Sequence, residues 1–141
     1  MQLRDSTNIV LLAAGLIFLL SLVLGVWKYQ QMSNSPDHLA HPYVDTAHRA
    51  ALMYSFATLL LATFVQLSSF SEAVNLTAAG IVIFYFVASI ISYIVHGARR
   101  DTDNQLADRV PGTGVFFWTL VVAEIGGFSV LLAGFVDAQL L

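Results

Sequence analysis

Residues 48–70 read HRAALMYSFATLLLATFVQLSSF. From Ala50 to Phe70 the stretch holds no acidic or basic side chain. About 20 such residues, wound as a helix, cross a hydrocarbon core of about 30 Å. Lipid offers no partner to backbone N–H and C=O groups, so a helix is allowed there and an open strand is not. The stretch is therefore read as a membrane span. Three further apolar blocks follow the same rule, at roughly 8–27, 74–95 and 113–136.

Composition points the same way. The 141 residues are 57% hydrophobic and 11% charged, whereas a soluble domain carries about a quarter charged residues. Without cysteine, disulfides, iron–sulfur clusters and thiolate ligands are excluded. A net charge of −3 predicts no nucleic-acid partner. No signal peptide is expected: residues 1–8 are polar, no small-residue cleavage site follows, and the first apolar block is too long for one.

The connections set the topology. Ser69–Ala73 is so short that the second and third spans must form an antiparallel hairpin. Lys28–Ala47 reads as a long polar loop with Asn34, Pro36 and Pro42, and Gly97–Gly112 as a charged loop closed by Pro111-Gly112. There are no internal repeats. The expected fold is all-α: one integral-membrane domain over residues 1–141, an antiparallel four-helix transmembrane bundle. Lys28, Arg49, Arg99, Arg100 and Arg109 flank one end and Arg4 the other. The positive-inside rule then predicts cytoplasmic loops and both termini outside.

That topology gathers the chemically able side chains at the loop end: Trp27, Tyr29, His48, Tyr54, Tyr93, His96 and the run Phe116-Phe117-Trp118. Trp27, Tyr29 and Trp118 read as an interfacial aromatic belt. His48, at the mouth of a span, has three readings. It ligates a haem iron, with Asp45 as an acceptor for its other nitrogen; it joins His38 and His41 in a zinc site; or it is a plain interfacial histidine. His96 is an alternative second ligand, giving a b-type cytochrome clamped by two histidines, or a histidine favoured by its helix C-terminus. Tyr93 shares a face with His96 and reads as an oxygen-binding phenol or a snorkelling one. Tyr54 lines a cavity or packs. Glu124, near the middle of the fourth span, is expected to face the bundle or a subunit interface, as a buried polar contact with Gln66 as its partner or as part of a proton path.

These residues resemble a known family. Leu24-Gly25-Val26-Trp27, Ala47-His48 with Leu52, Tyr93 and Pro111-Gly112 are similar to motifs of the small integral-membrane isomerases typified by styrene oxide isomerase and, more loosely, hydroxylaminobenzene mutase. The resemblance runs from about residue 15 to residue 134. It implies a homotrimer in a bacterial inner membrane with ferric haem b near subunit interfaces. His48 would be the axial ligand and Tyr93 would orient the substrate oxygen. The iron would act as a Lewis acid on a small apolar epoxide, rearranging it to a carbonyl compound. Tyr54 stands where that family has asparagine, which implies a smaller pocket or another substrate, and Tyr54 itself near the iron. Arg49, Arg99 and Arg100 are candidates to pair with haem propionates, or serve as positive-inside anchors. Ala47-His48-Arg49 also resembles the trimeric glutathione-dependent membrane enzymes of eicosanoid metabolism. Those carry polar residues shortly afterwards, where this chain has Ala50, Ala51, Leu52 and Met53.

Overall fold

A computed structural model describes residues 2–141. The chain forms four helices in order: α1 (Asp5–Asn34), α2 (Pro42–Leu67), α3 (Glu72–Arg99) and α4 (Thr113–Gln139). No strand occurs among the described residues. All four helices are long and apolar enough to cross a membrane. The protein is an all-α membrane bundle with successive helices antiparallel.

The helices outrun the apolar blocks. α1 continues seven residues past Trp27, and α2 begins six residues before His48, so the first loop is only Ser35–His41. An apolar block reports the thickness of lipid, but the backbone ladder continues into water. Polar Gln30, Gln31, Ser33 and Asn34 carry α1 onward, and Pro42 is tolerated in the first turn because a backbone N–H there would have no helical acceptor anyway. The His41 Nδ1 caps the start of α2 by accepting from the Tyr43 N–H at 3.2 Å. Ser71 caps α3 in the same sense. Gly112, at φ 84°, makes the turn into α4 that a side chain would strain.

Small residues on facing sides let the helices meet. Ala47 and Ala51 of α2 are fully buried with Leu24 of α1 and Ile90 of α3. Ala62, Ala78 and Val82 make a second cluster toward the other end. In lipid such close packing replaces the hydrophobic effect as the force between helices. α4 lies on α3 and α2 and does not reach α1. Its buried residues are Thr113, Gly127, Leu131 and Gly134, so its docking depends on its C-terminal half.

A polar clamp closes the end that carries both termini. The Arg4 guanidinium donates to the carbonyls of Ser68 at 2.7 Å and Phe70 at 2.8 Å and pairs with Glu72. Thr7 Oγ1 donates to Gln66 at 2.8 Å. Ser69 donates to Asp137, and the Ser69 N–H to the Gly134 carbonyl. Gln66 is thus committed here and is not the partner of Glu124.

Candidate functional site

His48 is the seventh residue of α2, nearly two turns inside it. Its Nδ1 lies 2.9 Å from the Ser21 carbonyl of α1. A carbonyl can only accept, so Nδ1 carries a proton, and in the neutral ring Nε2 keeps its lone pair. Nε2 has no hydrogen-bond partner among the described residues. The contact exists because of Gly25. A helical carbonyl points toward the residue four positions on, and a side chain at 25 would cover that of Ser21. A Cβ on Gly25 would come within 3.0 Å of the His48 Cε1.

Asp45 is therefore not the orienting acceptor. It pairs with Lys28 of α1 and, at 3.6 Å, with Arg49. The two jobs are divided: Asp45 ties α1 to α2 at the membrane surface, and Ser21 holds the imidazole one layer deeper. Ser21 and Gly25 carry no chemical signature in the sequence, although Gly25 lies in the Leu24–Trp27 string.

The other histidines are engaged separately. His38 sits exposed at φ 56° with its Nδ1 on the Met32 carbonyl at 3.3 Å. His41 uses Nδ1 for the α2 cap and Nε2 against Asp103 at 3.0 Å. No group of three or more possible metal-ligating side chains exists among the described residues, so the zinc reading with His38, His41 and His48 has no geometric support. His96 directs Nδ1 at Asp101, 2.7 Å away, and its ring lies 5.6 Å from that of Tyr43. A single neutral imidazole with an oriented Nδ1 and a free Nε2 is, however, the donor that an axial haem position takes.

The tyrosines stand elsewhere. Tyr54 follows His48 by six residues, which places it about 120° away around α2. It stacks on Phe86 of α3 at 4.2 Å and 12°. Tyr93 stacks on Tyr43 at 5.7 Å and 15°. Tyr54 thus faces α3, and His48 is held on the α1 side. Tyr43, which joins Tyr93 and His96, was not singled out by sequence reasoning.

Arg49, Arg99 and Arg100 are all exposed at the loop end. Arg49 is nearest in sequence to His48. Arg100 ends α3 at φ 54° and borders a polar groove with Trp27, Gln31 and Asn34. Tyr29 and Trp118 are exposed as belt residues should be; Trp27 instead packs on the Leu24–Ala47 cluster.

The 100–112 loop is fastened over this end. Tyr43 Oη accepts from the Gln105 N–H at 2.8 Å, and Thr102 bonds Asp108. The His96 imidazole beside Asp101 holds its carboxyl below the usual carboxylate range. A carboxyl depressed on folding stabilises the ordered form above its ordinary range, and that gain is lost as pH falls through the lowered value. Amide protection over residues 101–109, corrected for the intrinsic slowing of exchange in acid, is expected to fall on acidification below the ordinary carboxylate range. Asp101→Asn should show the lower protection already at neutral pH, with little further change. Equal profiles in the two proteins would remove the pair from the loop's stability.

No family model, no curated protein and no solved structure matches the chain.

Proposed function

We propose that this protein is a haem-b-dependent membrane isomerase acting on a small apolar substrate that contains oxygen, of the epoxide class. The observation that carries the reading is the His48 geometry: Nδ1 fixed on the Ser21 carbonyl, Nε2 free, and Gly25 leaving room for the ring. The family resemblance supports it. When bound, ferric haem b supplies a Lewis acid that polarises a substrate C–O bond, and ring opening with a 1,2-shift yields a carbonyl isomer without net redox change.

This chain's own residues have separate parts. Ser21 sets the imidazole tautomer and its direction. Arg49 offers a surface cation for an acidic group such as a propionate, steadied by Asp45. The α1–α2 surface near His48 is apolar and uncovered, with Leu22, Val26 and Phe56 exposed. It excludes water in lipid, which strengthens any polar interaction made there. Tyr93 and Tyr54 are packed between α2 and α3, against Tyr43 and Phe86. We propose the homotrimer that the resemblance implies, with a subunit seated against the α1–α2 seam. The proposed setting is a bacterial inner membrane with both termini outside. No contact favours a shared iron between His48 and His96.

The test is haem content and turnover together. Protein purified in detergent after expression with ample haem is expected to hold about one haem per chain, with an open or water-bound sixth position, and to convert an aryl epoxide to its aldehyde isomer. Folded protein that takes up no haem ends the reading. Haem uptake without isomerisation would keep the ligand and discard the reaction.

A further inference from the structure

A second site lies on the far side of α2 from His48. Between α2, α3 and α4 a cleft of about 360 Å³ opens toward lipid past Leu60 and Ile125. Its walls are apolar and partly aromatic, including Val82, Phe86 and Phe128. One ionisable group borders it: Glu124. The carboxyl oxygen Oε1 of Glu124 is buried and has no hydrogen-bond partner among the described residues. No ion pair is given to Glu124, because every Lys and Arg of the chain lies near a helix end or in a loop.

Such a group is expensive in lipid, and its unmet demand is for positive charge or a hydrogen-bond donor. Neither the Tyr54 nor the Tyr93 hydroxyl bonds it. A carboxyl oxygen left this way inside a membrane bundle points to an occupant.

We propose that this cleft binds a lipophilic monoamine in its protonated form. The ammonium supplies the charge that Glu124 lacks. Phe86, Phe128, Leu60 and Val82, which line the cleft, take the hydrocarbon part. One carboxylate without a second acid selects a single positive charge. The volume lies at the small end of the range for ligand pockets, about 300–1,000 Å³. Entry is from the bilayer, so the amine must partition into lipid first.

The experiment is equilibrium binding of radiolabelled phenethylamine to protein in nanodiscs at neutral pH, against 2-phenylethanol as the neutral isostere. Empty nanodiscs give the partition background. The wild type is expected to bind the amine saturably, one per chain, and more tightly than the alcohol. Glu124→Gln should weaken amine binding about tenfold or more, the loss expected for a charge-assisted contact, and leave the alcohol unchanged. Leu60→Trp, a change on the lipid-facing wall, should block the cleft with Glu124 intact, and it decides the matter if Glu124→Gln fails to fold. Equal amine binding by wild type and Glu124→Gln overturns the proposal, since the cleft then takes only apolar bulk. Equal affinity for amine and alcohol overturns it as well, since Glu124 then acts as a neutral hydrogen-bonding acid. Unchanged binding in Leu60→Trp would place the amine elsewhere. A haem spectrum unaltered in Glu124→Gln keeps this result separate from the His48 reading.

Discussion

Gly25→Leu is expected to abolish haem binding as completely as His48→Ala, although it leaves the ligand in the chain. The Soret band of the detergent-purified protein should fall to background in both. In His48→Ala the axial nitrogen is gone. In Gly25→Leu the new side chain occupies the space of the imidazole, since even a Cβ there lies 3.0 Å from Cε1 and 3.3 Å from Nδ1. The ring must swing away, lose the Ser21 carbonyl and turn Nε2 off its line. Gly25→Ala needs a shift of only a few tenths of an ångström and should weaken haem affinity about 10- to 100-fold, the usual loss when an orienting partner is disturbed. Two controls sharpen the result. Ser21→Ala keeps the carbonyl that matters and should retain haem. Asp45→Asn should retain it too, because Asp45 serves Lys28 and Arg49 rather than His48. A full Soret band in Gly25→Leu would show that this imidazole is not the ligand.

Gly127→Leu should detach α4, while Gly126→Leu next to it should be tolerated. A Cβ at position 127 would stand 2.6 Å from a Val82 methyl and 2.8 Å from the Ala78 carbonyl oxygen. The oxygen belongs to the α3 backbone and cannot rotate aside, so α4 itself must move. Overpacking of a close contact costs typically about 1–3 kcal/mol. The effect should reach the upper end here because the α3 backbone cannot yield, even though Leu131, Gly134, the Phe128 and Phe135 rings on Phe64 and the Ser69–Asp137 contact also hold α4. At Gly126 nothing lies within 4 Å. Unfolding in detergent, read by helicity against denaturant, should show an early transition in Gly127→Leu alone, together with faster proteolysis in the 100–112 loop. Matching curves for the two variants would mean that α4 is held by something other than this contact.

The two predictions differ in how visible their residues were. Gly127 stands in a Gly-Gly pair inside a span, and small residues there signal close helix contact. The sequence could not say which of the two faces α3. For the candidate site, an imidazole in an apolar block was enough to mark His48. Its partner was misread as Asp45, a carboxylate one turn earlier on the same helix, because side-chain types are visible in a sequence. A backbone carbonyl on the neighbouring helix has no letter of its own. Tyr54 and Tyr93 were grouped with His48 because spans of known direction assign each residue a depth. Depth is not azimuth, and the 120° between His48 and Tyr54 sends them to different sides of α2. Glu124 was expected to face the bundle, and it does border the α2–α3–α4 cleft, but its expected partner Gln66 is held at the other end by Thr7 and Arg4.

By itself the sequence determined that four helices cross lipid and that the hairpin at Ser69–Ala73 turns the chain back. The reason is that hydrocarbon leaves no other way to satisfy the backbone, and apolar length is written directly in the residues. Where the helices end, and which way each one is turned about its axis, only the tertiary structure decided. α1 and α4 are apolar on nearly every face, so in lipid their composition prefers no rotation. The choice falls to packing at particular places: Gly25 admitting His48 to Ser21, and Gly127 admitting α3.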